Sequence, residues 1–193
     1  MIKMITLFII SFLTLGLSAD QSVAKSDTDE LWARLAQGGV SVLIRHALAP
    51  GVGDPPEFKL GDCSTQRNLS DTGRQQARRI GMAFRQHGIA IDQVYTSEWC
   101  RCRETAELLG LGPVTPLPML NSFFQARERE KTQTESLSQF LQTTAFAHVI
   151  VLVTHQVNIN ALTGVYTSSG EAVVVEARKD GALSVLGTLP FAH

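Results

Sequence analysis

The chain has 193 residues, 44% of them hydrophobic and 18% charged, with a formal net charge of -1. That length suits one ordinary domain with a real core and is short for two. The near-neutral balance argues against a general nucleic-acid binder, which carries a basic surface, and neither an internal repeat nor a long low-complexity tract is evident.

Residues 1–24 stand apart. Lys3 supplies a positive charge ahead of the almost wholly apolar run Ile5 to Leu17, and small residues follow, with Leu17-Ser18-Ala19 and Ser22-Val23-Ala24 as cleavage sites. This is the pattern of a secretory signal peptide and is short for a membrane span; the alternative is an uncleaved N-terminal anchor. The reading divides the chain into a signal peptide, 1–24, and a single domain, 25–193. It predicts a periplasmic or secreted protein with no stable membrane association once the leader is removed.

Asp27 to Gln37 reads as a first helix: Asp27 and Glu30 form a capping-box-like pair, and Gly38-Gly39 stop it. Val40 to Ile44 is β-branched and apolar, a buried strand that ends in the charged pair Arg45-His46. Residues 47–69 are loop-like and rich in Gly and Pro, and a loop of that length is functional or pinned down. Ser70 caps a helix to about His87, with Ala77, Ile80, Gly81 and Phe84 on one face. Ile89 to Thr96 is a second strand, and Ser97 is read as the cap of a helix carrying Arg101, Thr105, Leu108 and Leu109. Val114 to Leu117 is a short strand, residues 118–131 are irregular, and Thr134 to Ala145 is helical. His148 to Thr154 is the clearest strand; His155 and a helix from about Val157 to Leu162 follow it. Ala172–Glu176 and Ala182–Leu189 are strands joined by an Asp180-Gly181 hairpin turn. Alternating strands and helices imply an α/β sandwich with a mainly parallel central sheet and an antiparallel edge.

In such a sheet, ligands bind outside the carboxyl ends of the strands. Three stretches put polar groups there: Ile44-Arg45-His46, Tyr95-Thr96-Ser97 with Arg101 in the next helix, and Val153-Thr154-His155. Two histidines and two arginines then converge on one pocket, and two guanidiniums with an imidazolium make an oxyanion cage, because the planar fork of arginine matches phosphate oxygens in pairs. The target is therefore a phosphoryl group, and with no metal-ligand cluster evident the arginines carry the charge stabilisation. His87, His148 and His193 read as structural or solvated. Arg103 points about 200° away from Arg101 around the helix. Arg74, Arg78 and Arg85 form a solvated face, and Arg67 is a candidate substrate contact.

Of the three cysteines, export permits one disulfide and leaves one thiol. The bridge runs from Cys63 to Cys100 or Cys102, with Cys100 preferred. A zinc site lacks the usual spacing in Cys100-x-Cys102, and no cysteine is followed six positions later by the arginine of a cysteine-phosphatase loop.

These segments carry a resemblance. "LIRHA" resembles the Arg-His-Gly signature of the histidine phosphatase (phosphoglycerate mutase-like) superfamily, "NLSDTGRQQA" the segment that follows it, "TSEWCRCRETA" its Ser-x3-Arg-x3-Thr-Ala segment, and "VLVTHQ" the strand ending in its second histidine. The resemblance implies a three-layer α/β/α fold and metal-independent, cofactor-free phosphoryl transfer. His46 is the nucleophile that becomes a phosphohistidine, and Arg45, Arg101 and His155 hold the phosphoryl oxygens. Arg67 and Gln156 are assigned to substrate binding.

There are departures. Ala47 stands where the family has glycine. Gln156 follows the second histidine, where one branch has an aspartate as proton donor. The other branch has its acid in the stretch corresponding to Met119–Gln125, which here contains no Asp or Glu. Asp54, Glu128 and Glu130 are the remaining acids that could reach in, and a weak or absent general acid is predicted. The expected activity is that of an exported phosphatase acting on a small phosphorylated substrate, with the missing acid costing least for phosphohistidine, aryl phosphates or anhydrides. The alternative is a catalytically weak phosphate-binding protein of the same fold, and a glycolytic mutase comes third.

Overall fold

The computed structural model describes residues 19–144, 147–178 and 180–191. The signal peptide read over residues 1–24 lies outside the described residues as far as residue 18. In chain order the elements are α1 (Ala19–Ala36), β1 (Val40–Arg45), α2 (Asp71–Gln86), β2 (Ile91–Thr96), α3 (Cys100–Leu109), β3 (Val114–Pro116), α4 (Glu130–Thr143), β4 (Val149–Thr154), α5 (Gln156–Thr163), β5 (Ala172–Ala177) and β6 (Leu183–Leu189). Helix α1 starts at Ala19, well ahead of the Asp27 cap expected from the sequence, and α4 starts at Glu130 because the 3-10 turn Arg127–Arg129 runs straight into it.

The sheet order is β3-β2-β4-β1-β5-β6. Strands β3, β2, β4 and β1 are parallel, and β5 and β6 add an antiparallel edge. Successive side chains of a strand point to opposite faces, so each central strand feeds two cores. Val40, Val42, Ile44, Val149, Val151 and Val153 pack with Trp32 and Leu35 of α1, Ile80 and Phe84 of α2, and Leu109 of α3. Leu43, Ile150 and Leu152 face the other way, against Leu137 and Leu141 of α4 and Ile159 of α5. Each such side chain taken fully from water contributes roughly 1.5–3 kcal/mol, which is why β4 can be an unbroken apolar run.

Helix α2 approaches its neighbours closely because it has glycines at the contacts. A Cβ on Gly81 would lie 1.8 Å from the Leu109 carbonyl oxygen, and one on Gly73 would lie 2.1 Å from that of Leu48. The Ser70 side chain caps α2 by accepting from Gly73 N–H. Arg74 and Arg85, expected to be solvated, instead tie α2 to α3: Arg74 pairs with Glu104 at 2.6 Å, and Arg85 Nη1 donates to the Leu109 carbonyl at 2.8 Å.

The chain leaves β1 toward α2 on one face of the sheet and leaves β4 toward α5 on the other. These two strands are neighbours, so their connections part and open a crevice at their carboxyl ends. Such a switch point is where open α/β sheets bind ligands.

Candidate active site

The crevice is floored by the two histidines. Arg45 is opposite Thr154 in the β1–β4 register, so His46 and His155 each stand one residue past the paired ends. The His46 N–H donates to the Thr154 carbonyl at 2.9 Å, and the Ser97 N–H donates to the Val153 carbonyl at 2.9 Å, which locks the end of β2 to the same level. The two imidazole centroids are 5.5 Å apart.

His46 is 2% exposed. Its Nδ1 lies 2.8 Å from the Ala47 carbonyl oxygen. A carbonyl only accepts, so Nδ1 carries the proton and Nε2 keeps its lone pair. Burial, followed by the charge of Arg101, pushes the His46 pKa well below 6.5, against an opposing pull from the Ala47 bond. Burial and then the nearby His46 do the same to His155. Both rings are therefore held neutral at pH 7, so the imidazolium expected in the cage is not formed there and the arginines alone bring the positive charge. The Ala47 methyl, standing where glycine was expected, is fully buried, and Ala47 N–H donates to Thr105 Oγ1 at 3.0 Å.

Around this floor, a pocket of about 170 Å³ is lined by Arg45, His46, Asp54, Arg67, Arg101, His155 and Gln156, with Val52, Ser122, Phe124 and Val157 among the remaining walls. All six residues singled out in the sequence for catalysis or binding thus lie together. Arg45 Nη1 donates to the Thr167 carbonyl at 2.6 Å. Arg67 Nε donates to the Gly53 carbonyl at 2.9 Å, and its Nη1 donates to that of Ala49. The Nε–H groups of Arg45 and Arg101 are buried without a hydrogen-bond partner. An orphan donor of this kind is costly unless something arrives to accept from it.

Cys63 and Cys100 form a disulfide with an S–S distance of 2.04 Å. It joins the loop after β1 to the first turn of α3, beside Arg101. Phe58 of the loop stacks on Trp99 at 5.0 Å, and Trp99 meets His155 edge-on at 5.5 Å. Cys102 stays free and buried, its thiol pushed up to about 12 by burial, so it remains protonated 3.4 Å from His155 Nε2.

Several site features had no signal in the sequence. Ser97 does not cap α3, whose N-cap is Trp99; its Oγ lies 2.9 Å from His155 Nε2 and accepts from Trp99 N–H at 3.3 Å. Asn121 lies behind Ser97, with its Nδ2 donating to Glu98 at 2.7 Å and its Oδ1 accepting from Glu98 N–H at 2.9 Å. Of the three acids considered, Glu130 pairs with Arg127 at 3.3 Å, and neither it nor Glu128 lines the pocket. Asp54 does line it, but its carboxylate is bound to Arg101. His148 pairs with Asp92 and His87 stacks on Trp32, while Arg103 points to the disulfide, 3.3 Å from Cys63 Sγ. No group of three or more His, Cys, Asp or Glu stands in metal-holding geometry among the described residues, and no described helix is long and apolar enough to cross a membrane.

Paired histidines and arginines at the switch point of the sheet make a cationic crevice whose guanidinium forks match the oxygens of an oxyanion. The family described as "Histidine phosphatase superfamily (branch 1)" matches residues 41–135. The structure of the protein histidine phosphatase SixA complexed with tungstate superposes with a TM-score of 0.57 at 14% identity, covering 78% of this chain and 96% of that one. The mycobacterial glucosyl-3-phosphoglycerate phosphatase in complex with VO3 superposes with a TM-score of 0.55 at 13% identity, covering 76% and 96%. A stretch of 68 residues is 34% identical to the mitochondrial serine/threonine-protein phosphatase Pgam5 of Drosophila grimshawi; it is 35% of this chain and spans only 21% of that relative. The match to the histidine phosphatase superfamily thus covers about half of the chain, and the solved structures share its fold.

Proposed function

We propose that this protein is a phosphatase in which His46 Nε2 attacks the phosphorus of a small phosphorylated substrate and water then hydrolyses the phosphohistidine. The observation that carries this is the His46 ring itself. Its proton is fixed on Nδ1 by the Ala47 carbonyl, and the opposite nitrogen is unprotonated and set among three arginines. A nucleophile needs a free lone pair at working pH, and here burial beside positive charge keeps it free.

Charge forming on the phosphoryl oxygens meets Arg45, Arg101 and Arg67, and the orphan Nε–H groups of the first two acquire acceptors. The Ser97 hydroxyl, which donates to Asn121 Oδ1 at 3.2 Å, also meets His155 Nε2 at 2.9 Å and fixes the plane of that ring beside the phosphoryl site. The guanidiniums supply positive charge that a cation supplies elsewhere, so activity is expected to persist in chelator. No protonated acid among the described residues faces the leaving group, and exposed Val52 and Phe124 are part of the lining. The favoured substrates are therefore esters with good, weakly polar leaving groups, such as aryl phosphates. The Cys63–Cys100 bridge is in keeping with an exported protein.

The test is hydrolysis of p-nitrophenyl phosphate by wild type and by His46→Ala, with denaturing trapping of the intermediate. Loss of turnover in His46→Ala and an acid-labile, base-stable phosphoenzyme in wild type are expected. Equal, near-zero rates with retained phosphate binding would favour the phosphate-binding protein instead, a reading that the missing acid supports.

A further inference from the structure

Arg101 and Asp54 come from segments 47 positions apart and meet inside the pocket. Arg101 Nη1 donates to Asp54 Oδ1 at 2.6 Å and Nη2 donates to Oδ2 at 3.1 Å. The remaining acceptor capacity of Asp54 is used as well: Trp99 Nε1 donates to Oδ2 at 3.0 Å and Arg67 N–H donates to Oδ1 at 3.3 Å. The side chains of Arg101 and Asp54 are 3% and 4% exposed. A general acid must carry a proton and present it to the leaving group. This carboxylate instead accepts from four donors. Burial raises its pKa, but the Arg101 bond and charge, with Trp99 and Arg67, outweigh that and hold it below 3.8.

We propose that Asp54 is a positioning residue for phosphoryl transfer: it clamps Arg101 by its Nη end, so that the partnerless Nε edge is left for the phosphoryl group, and it offsets one of the three positive charges of the cage. The proposal rests on the phosphatase reading above. A bidentate carboxylate–guanidinium pair fixes the plane of both partners, which a single bond does not. Among the charged side chains lining the pocket, Arg45, Arg67 and Arg101 are positive and Asp54 is negative. With neutral imidazoles the net charge is two positive, matching a phosphomonoester dianion. Without Asp54 the cage would grip product phosphate harder while aiming Arg101 less well.

The experiment measures kcat and KM for p-nitrophenyl phosphate, and inhibition by inorganic phosphate, for wild type, Asp54→Asn, Arg101→Ala and the double variant. A misaimed guanidinium is expected to lower kcat in Asp54→Asn by about 10²-fold, with tighter phosphate inhibition. In the Arg101→Ala background the same substitution should change kcat by less than about twofold, because its route of action is gone. A structural role alone would lower the melting temperature without tightening phosphate inhibition or cancelling in the double variant. If Asp54→Asn does not fold, Arg101→Lys keeps the charge and loses the fork, and kcat is expected to fall similarly. An unchanged kcat in Asp54→Asn or in Arg101→Lys, or an equal loss from Asp54→Asn in both backgrounds, overturns the proposal. So does a loss confined to alkyl phosphates, which would make Asp54 the acid. Wild-type activity in His46→Ala would instead remove the underlying phosphatase reading, whatever Asp54 does.

Discussion

Reducing the Cys63–Cys100 bridge should weaken the fold and one wall of the pocket together. The bridge spans a sequence separation of 37 residues. Loop-closure entropy for a loop of that length corresponds to about 4 kcal/mol at 25 °C, and for a domain of this size each kcal/mol moves Tm by about 2–4 °C. Reduction, or Cys63→Ser, should therefore lower Tm by about 10 °C. The segment released carries Gly53 and Asp54, which hold Arg67 and Arg101, so turnover should fall before the domain melts. Calorimetry with and without dithiothreitol reads the first effect, and p-nitrophenyl phosphate turnover well below Tm reads the second. Limited trypsin digestion at the exposed Lys59 should report loosening of the loop. A Tm unchanged within about 2 °C, or equal cleavage at Lys59 in both redox states, would refute the reasoning.

The pH response follows from the buried imidazoles. The pKa values of His46 and His155 are depressed in the fold from an ordinary 6.5. The unfolded chain therefore takes up protons first, and stability should decline as pH falls below about 6.5 through the folded values. Urea midpoints across pH 4–8 check this, and kcat/KM should hold steady through pH 6.5 and fail only at lower pH. Gly81→Ala should destabilise by about 3 kcal/mol or more, since its methyl would lie 1.8 Å from a backbone oxygen that cannot swing aside; thermal melts test it. A missing proton donor typically costs about 10²–10⁴ in rate. Turnover of an alkyl phosphate should therefore trail that of an aryl phosphate by a factor in that range, and equal rates would point to an overlooked acid.

The architecture was legible because its signals are local. The apolar runs of β1 and β4, the Ser70 cap and the Gly-ended helices set the element order, and the polar residues at three strand ends marked the pocket. Helix starts were harder to read. The start of α1 at Ala19 overrides the capping pair at Asp27, and that of α4 is set by the turn feeding it. The second layer of the site was not readable at all. Whether Ser97 caps a helix or bonds a histidine depends on where β2 stops beside β4, and the partnership of Asp54 with Arg101 depends on how a long loop folds back. Neither leaves a periodicity in the chain.

The pairing of β1 with β4 divides the site into parts of unequal permanence. Strands sealed on both faces release their amide protons to solvent only when the whole domain opens, whereas surface loops open piecemeal. The histidine floor therefore belongs to the slowest-exchanging part of the molecule, and the wall built by residues 51–67 belongs to a faster one held by a single covalent tie. Under the proposed function, replacement of that wall would change which esters gain entry while the His46 imidazole stays where the sheet has put it.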